Sequence, residues 1–298
     1  MPSRTIPLAV PLDLRLTLGL HTRGPGDPAM RVGRTTAVRA TRTPDGPAAI
    51  GLELVAGAVR AEAYGPGAER VLAGLPALLG LDDDPSVLVP ANPLVAELAR
   101  RLRGLRIGRT GAVMEALVPA ILEQKVTGQE ASRAYRGLVR RFGEPAPGPF
   151  GLRLLPAPET LATLPYHAFH PLGVEQRRAD VIRRAARVAA RLEEAVGMDA
   201  DAAEARLRSV NGVGAWTAAE VRARALGDPD TVSVGDFHLK HLVAWTLAGE
   251  PRGTDERMLE LLEPYRGQRG RVIRLLEASG LAAPRFGPRL SARSIAGI

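Results

Sequence analysis

Two neighbouring features of the chain carry residue types that can do chemistry. One is the glycine-flanked turn Gly212-Val213-Gly214, and the other is a lone carboxylate, Asp236, 22 residues beyond it. Two glycines around an apolar residue at the start of a helix can turn successive backbone N–H groups outward. Such a nest attracts phosphate through unpaired donors and the helix dipole, and it reads no base. A carboxylate held nearby can stabilise a positive charge that develops during bond breaking and can orient a water molecule. Asp236 also stands where a helical pattern opens, and aspartate is equally at home there as an N-cap.

The surrounding patterns must position these groups. Residues 199–209 lead into the turn as a helix and 216–226 leave it; helical patterns follow at 236–248, 255–262 and 271–279. Upstream, apolar residues at 113, 114, 117, 118, 121 and 122 predict a buried helical stripe over 111–124. A helix is expected over 127–142, ending at Gly143. A short one starts at Ala157-Pro158-Glu159, and a long arginine-rich one covers 174–196. Residues 1–80 read differently. Alternation at 34–42 and 50–62, with turns at Pro44-Asp45-Gly46 and Ala56-Gly57, predicts strands, and 68–79 predicts an amphipathic helix. The acidic, proline-rich stretch 81–92 is a boundary. The expected fold is mainly α, α+β overall: a mixed α/β N-terminal domain at 1–92, a helical domain at 93–283, and a flexible basic tail at 284–298.

The composition narrows the classes. With 298 residues and no cysteine, disulfides, thiolate metal sites and cysteine-ligated iron–sulfur clusters are excluded. No apolar run approaches the length of a membrane span, and the N-terminus lacks the order of a signal peptide, so a soluble cytoplasmic protein is expected. Net charge is +8, and residues 1–95 hold nine arginines against nine carboxylates, so the excess lies entirely in the helical part. That distribution suits a polyanionic partner. It also suits an arginine-rich surface encoded by a GC-rich genome, since lysine occurs only at 125 and 240.

Taken together, the segment Val210-Asn211-Gly212-Val213-Gly214-Ala215-Trp216-Thr217-Ala218 with Val234-Gly235-Asp236-Phe237-His238-Leu239 resembles the helix-hairpin-helix (HhH-GPD) DNA glycosylase superfamily. Within it, the bacterial 3-methyladenine DNA glycosylase II type is the nearest pattern. Pro11-Leu12-Asp13 with Leu18-Gly19-Leu20, residues 120–127, and Leu172-Gly173-Val174 through Arg178-Ala179 extend the resemblance over most of the chain. The resemblance implies an enzyme that binds duplex DNA as a monomer, flips a damaged purine and hydrolyses its glycosidic bond. No organic cofactor is implied.

Residue by residue, the resemblance gives the phosphate-binding amides to Gly212, Gly214 and Thr217, with Gln124 beside them. It gives the carbonyls of Arg208, Val210 and Val213 to a monovalent cation shared with the phosphate. Asp236 becomes the carboxylate that stabilises the oxocarbenium-like sugar. Members that also cut the strand place a lysine nucleophile where this chain has Trp216, which implies base release without lyase activity. Lys125 falls at the wedge that fills the gap left by the flipped base, where the subgroup has an apolar residue. Its methylene stem can fill space; it can equally lie along a phosphate or stand free at the surface.

The base pocket departs from the subgroup. Trp216 and Phe237 match aromatic positions, but Leu20 replaces a phenylalanine, Glu220 a tyrosine, and Arg274 stands about where a tryptophan belongs. Glu220 reads either as a partner for a base or as a solvent-facing helix residue paired with Arg224 at i, i+4. Tyr135, Tyr166 and Tyr265 are the remaining candidate rings, and His238 and His241 flank Lys240 without completing a metal set. Two other readings stand beside the alkylated purine: a deaminated or oxidised base on the same scaffold, and a non-catalytic hairpin module that only binds DNA.

Overall fold

The computed structural model describes residues 1–284; the expected basic tail lies, from residue 285 on, outside the described residues. Five antiparallel strands open the chain: β1 (Ser3–Pro7), β2 (Met30–Val32), β3 (Thr36–Thr43), β4 (Gly46–Val55) and β5 (Ala58–Tyr64), in the order β1-β5-β4-β3-β2. The two long pairings are hairpins closed at the predicted turns, where Gly46 (φ 118°) and Gly57 (φ 72°) take backbone conformations open to glycine. The short edge strands β1 and β2 were not expected. Between β1 and β2 runs α1 (Leu14–Leu18), capped by Asp13, whose carboxylate accepts from the Leu16 amide. The single helix expected over 68–79 is two, α2 (Ala68–Ala73) and α3 (Leu75–Leu78), divided at Gly74 with Pro76 in the first turn of the second. Together they cover one face of the sheet over Leu14, Leu18, Ile50, Val59 and Leu75.

The helices then divide between two cores. The first is built around α5 (Val113–Leu122), whose every residue but Glu115 is buried, the behaviour of a helix that is apolar all round. Packed about it are α6 (Gly128–Phe142), α7 (Pro158–Thr163), α8 (Tyr166–Phe169), α9 (Gln176–Arg187), α10 (Ala189–Glu193), α11 (Ala200–Arg208) and α12 (Ala215–Val221). Thr127 and Glu130 form a reciprocal capping box at the start of α6. The expected long helix over 174–196 is interrupted at Val188 and ends in a 3-10 turn. The helix leaving the hairpin closes in a single π turn over Arg222–Leu226.

The second core joins α4 (Pro93–Arg101) to the last three helices, α13 (Leu239–Ala248), α14 (Asp255–Leu262) and α15 (Arg269–Ala278). The chain therefore passes from the sheet to this core, out through α5–α12, and back. Glu115 on α5 ties the sheet to the helices. It accepts from the Arg39 guanidinium and the Thr41 hydroxyl, each at 2.8 Å, and from the Arg42 amide at 2.9 Å. No helix among the described residues is long and apolar enough to cross a membrane.

Candidate active site

The hairpin joins α11 to α12 and is held from three sides. Gly212 has φ 98°, and a Cβ there would meet Val181 Cγ2 of α9 at 2.3 Å, so glycine is required on both counts. The Asn211 carbonyl accepts from Arg184 of α9 at 3.1 Å. Gln124, just past the end of α5, donates to the Gly212 carbonyl at 3.0 Å and to the Thr217 hydroxyl at 2.9 Å. Gly214 differs: its φ is −92° and a Cβ there would touch nothing, so its face is open. As the N-cap residue of α12 it precedes three amides, the last being that of Thr217, that have no partner within the helix. The Thr217 side chain is buried and committed to Gln124, which leaves its main-chain N–H as its contribution to an anion.

Beside this turn stands Lys125, exposed, with φ 55°, the one described non-glycine residue at positive φ. Such a conformation costs about 1 kcal/mol and concentrates at functional sites.

Asp236 lies in a turn, three residues before α13 and not within it as the pattern predicted. Its Oδ1 accepts from the amides of His238 at 2.8 Å and Leu239 at 2.9 Å, the work of a cap. Its Oδ2 accepts from the indole Nε1–H of Trp216 at 3.2 Å. One oxygen thus orders the helix start while the other is held by a single neutral donor, and the residue lines a cavity of about 670 Å³. No arginine or lysine among the described residues is ion-paired with it.

The cavity lies where the three cores meet. Leu20, Thr17 and Thr22 come from the N-terminal part, Glu123 from the end of α5, Trp216 and Glu220 from α12, Ser233 and Asp236 from the loop after it, and Arg274 from α15. Glu220 pairs with Arg224, as its spacing predicted, but its side chain is only 13% exposed, so it does not face solvent. Its other oxygen accepts from the Ser233 hydroxyl at 2.5 Å. Arg224 also donates to the Leu20 carbonyl at 3.3 Å, which fixes that wall. Arg274 donates to the Leu16 carbonyl at 3.3 Å and pairs with Glu277 at 2.7 Å. Phe237 does not line the cavity: it is 68% exposed, edge-on to the rings of His238 and His241. Tyr135 and Tyr265 are buried in the helical cores, and Tyr166 packs edge-on to His170.

Sequence reasoning missed Glu123, Ser233 and His21. Burial pushes the Glu123 carboxyl above its ordinary range, Arg23 at 3.7 Å and then Arg224 pull it back, and Glu220 and Asp236 push it up to a lesser degree. Its place beside Gln124 and Lys125 was the available signal. His21, behind the Leu20 wall, is buried with neither ring nitrogen hydrogen-bonded. Burial, reinforced by Arg39, Arg224, Arg23 and Arg274, holds its imidazole well below the usual histidine range. It adjoins a separate cavity of about 30 Å³, room for a water molecule.

Among the described residues no group of histidines and carboxylates could hold a metal ion. The hairpin carbonyls are a different donor set. Val210 O accepts from the Val213 amide at 2.9 Å, while the carbonyls of Arg208 and Val213 have no main-chain partner among the described residues. Neutral oxygens of this kind suit a hard cation.

Comparison with known proteins agrees with this geometry. The model of the HhH-GPD superfamily base excision DNA repair proteins matches residues 118–266. A probable bifunctional transcriptional activator and DNA repair enzyme AlkA of Mycobacterium tuberculosis is 34% identical over 173 residues, which is 55% of this chain and 34% of that protein. The match therefore spans about a third of the length of this relative. A 3-methyladenine DNA glycosylase from Archaeoglobus fulgidus superposes with a TM-score of 0.76 at 21% identity, over 93% of this chain and 98% of that one. An 8-oxoguanine glycosylase/lyase of Clostridium acetobutylicum, in complex with double-stranded DNA, gives 0.63 at 14% identity over 83% and 96%. These two show a shared fold. With the family model covering half its length, the chain belongs to the HhH-GPD superfamily of base excision DNA repair proteins.

Proposed function

We propose that this protein is a monofunctional DNA glycosylase, working as a monomer on cytoplasmic DNA, that releases an alkylated purine and leaves an abasic site. The observation that carries the reading is the position of Asp236. Its carboxylate lines a cavity of about 670 Å³, within the roughly 300–1,000 Å³ typical of small-ligand sites, and Trp216 in the first turn of the hairpin's second helix lines it too. In this reading the N–H groups of Gly214 and Thr217, presented by the bend at Gly212, hold a phosphate of the duplex. A monovalent cation on the carbonyls of Arg208, Val210 and Val213 adds positive charge beside that phosphate. Lys125 fills the space left when the nucleotide turns out, its backbone already bent away from α5. The base enters between Leu20 and Trp216, over Glu220 and Arg274.

The Asp236 carboxylate then stabilises the positive charge that grows on the sugar as the glycosidic bond lengthens, and it orients the water that completes the hydrolysis. With Trp216 in place of an amine, no Schiff base forms, and the strand stays intact. Support comes from the family membership and from the names of the relatives, two of which act on alkylated or oxidised bases. The test is a panel of duplexes bearing alkylated, deaminated or oxidised bases, presented to the wild type and to Asp236→Asn. Base release from alkylated purines by the wild type, lost in the variant while affinity for abasic DNA is kept, is the expected result. Binding without release on every lesion would leave a DNA-binding module, and release of only uncharged lesions would move the substrate to another class.

A further inference from the structure

The cavity that receives the base in this reading has more carboxylates than guanidiniums on its lining. Glu123, Glu220, Asp228, Asp236 and Glu277 stand against Arg106, Arg224 and Arg274, in a chain whose total charge is +8. The acidic lining runs against the protein's own balance. Three of the five are matched: Asp228 by Arg222 at 2.9 Å, Glu277 by Arg274 at 2.7 Å, and Glu220 by Arg224 through one oxygen. The remainder is less closely matched, since Arg106 on the lining donates to the main-chain carbonyls of Pro11 and Asp83 and pairs with none of these carboxylates. Glu220 gives its second oxygen to the neutral Ser233 hydroxyl, Glu123 reaches Arg23 only at 3.7 Å, and Asp236 is held by amides and an indole.

Aromatic recognition is thin. Trp216 and His238 are the rings on the lining, and the Trp216 N–H is already bound to Asp236. A cage that selects a cation by its π faces needs several rings. We propose that Glu123 and Glu220 are specificity-determining residues, which select a base carrying formal positive charge at an alkylated ring nitrogen by direct electrostatic attraction. This inference rests on the glycosylase reading above. The three carboxylates share one field: Glu220 and Asp236 both raise the cost of ionising Glu123, against the larger pull of Arg23 and Arg224. A cationic base entering that field relieves it; a neutral base gains nothing from it, and a carbonyl edge turned toward Glu220 is repelled. Partial burial keeps the attraction from being screened by salt.

Single-turnover base release decides the matter, with matched duplexes carrying 7-methylguanine, which is cationic, or hypoxanthine, which is neutral. The proteins compared are the wild type, Glu123→Gln, Glu220→Gln and Glu220→Asp, each checked by thermal melting. In each glutamine variant the ratio of cationic to neutral release is expected to fall about tenfold or more, equivalent to about 1.4 kcal/mol. Glu220→Asp keeps the charge and is expected to keep the ratio within about threefold. Glu123 makes only the long contact with Arg23, so Glu123→Gln decides the question even if Glu220→Gln melts early. An unchanged ratio in a folded glutamine variant overturns the inference. So does a wild type that releases only hypoxanthine, which leaves the glycosylase reading intact. A wild type that releases no base from any duplex overturns both.

Discussion

The indole N–H of Trp216 donates to Oδ2 of Asp236 at 3.2 Å, joining the first turn of α12 to the loop before α13. The two residues are 20 apart in sequence, and their bond links the hairpin to the carboxylate through one rigid side chain. With Oδ1 occupied by the amides of His238 and Leu239, the carboxylate is fixed in direction with no ion-pair partner among the described residues.

Removing that donor while keeping the ring is the direct check on its role. In Trp216→Phe, single-turnover base release is expected to fall about tenfold, since hydrogen bonds to charged groups contribute about 1.5–3 kcal/mol. Affinity for abasic DNA should stay at the wild-type value. An unchanged rate would mean that the two amides alone aim the carboxylate.

The same residue bears on strand cleavage. Products of the wild-type reaction are expected to be intact abasic strands, cut only after treatment with alkali. Borohydride added during turnover should trap no covalent adduct. Either spontaneous cleavage or a trapped species would require an amine nucleophile that position 216 does not supply.

The two hairpin glycines should separate stability from binding. Gly212→Ala forces a side chain into positive φ and to within 2.3 Å of Val181, so a loss of about 2–4 kcal/mol is expected in urea unfolding. Gly214→Ala meets no protein atom, and its stability should stay within about 0.5 kcal/mol of the wild type. The added methyl group nevertheless stands on the open face, and DNA affinity should drop. Equal melting temperatures for the two variants would contradict this division.

His21 makes stability depend on pH in a defined window. Its pKa in the folded protein lies below the unfolded value near 6.5, so the unfolded chain binds the extra proton first. Stability from this residue is therefore complete above about pH 6.5 and declines as the pH falls through and below that value. The loss is larger at pH 5.5 than at pH 7.5. Urea unfolding of the wild type and of His21→Leu at pH 7.5 and 5.5 measures it; the variant should show a smaller decline between the two pH values. An identical pH response in both proteins would remove His21 as the source.

What could be read in the residues depended on how local the interaction was. The hairpins at Gly46 and Gly57, the caps at Thr127 and Asp199, and the helix over Asp255–Leu262 all follow from patterns spanning a few residues. The edge strand Met30–Val32 is too short to show alternation, and Ser3–Pro7 ends in proline, so neither announced itself. The pairing of Glu220 with Arg224 was legible from its i, i+4 spacing; its burial was not, because burial depends on what the N-terminal segment lays across α12.

By itself, then, the sequence determined the hairpin, the family pattern around it, and the absence of a lysine at position 216. Each of these is a property of residue identity and short-range spacing. Only the tertiary structure decided that Trp216 binds Asp236, that Phe237 stands outside the cavity while Glu123 lines it, and that Gln124 ties α5 to the hairpin. These relations bring together groups 20 to 93 residues apart. They exist because three separately packed cores meet at one cleft, and the direction of each side chain there is set by the packing of the helix that carries it.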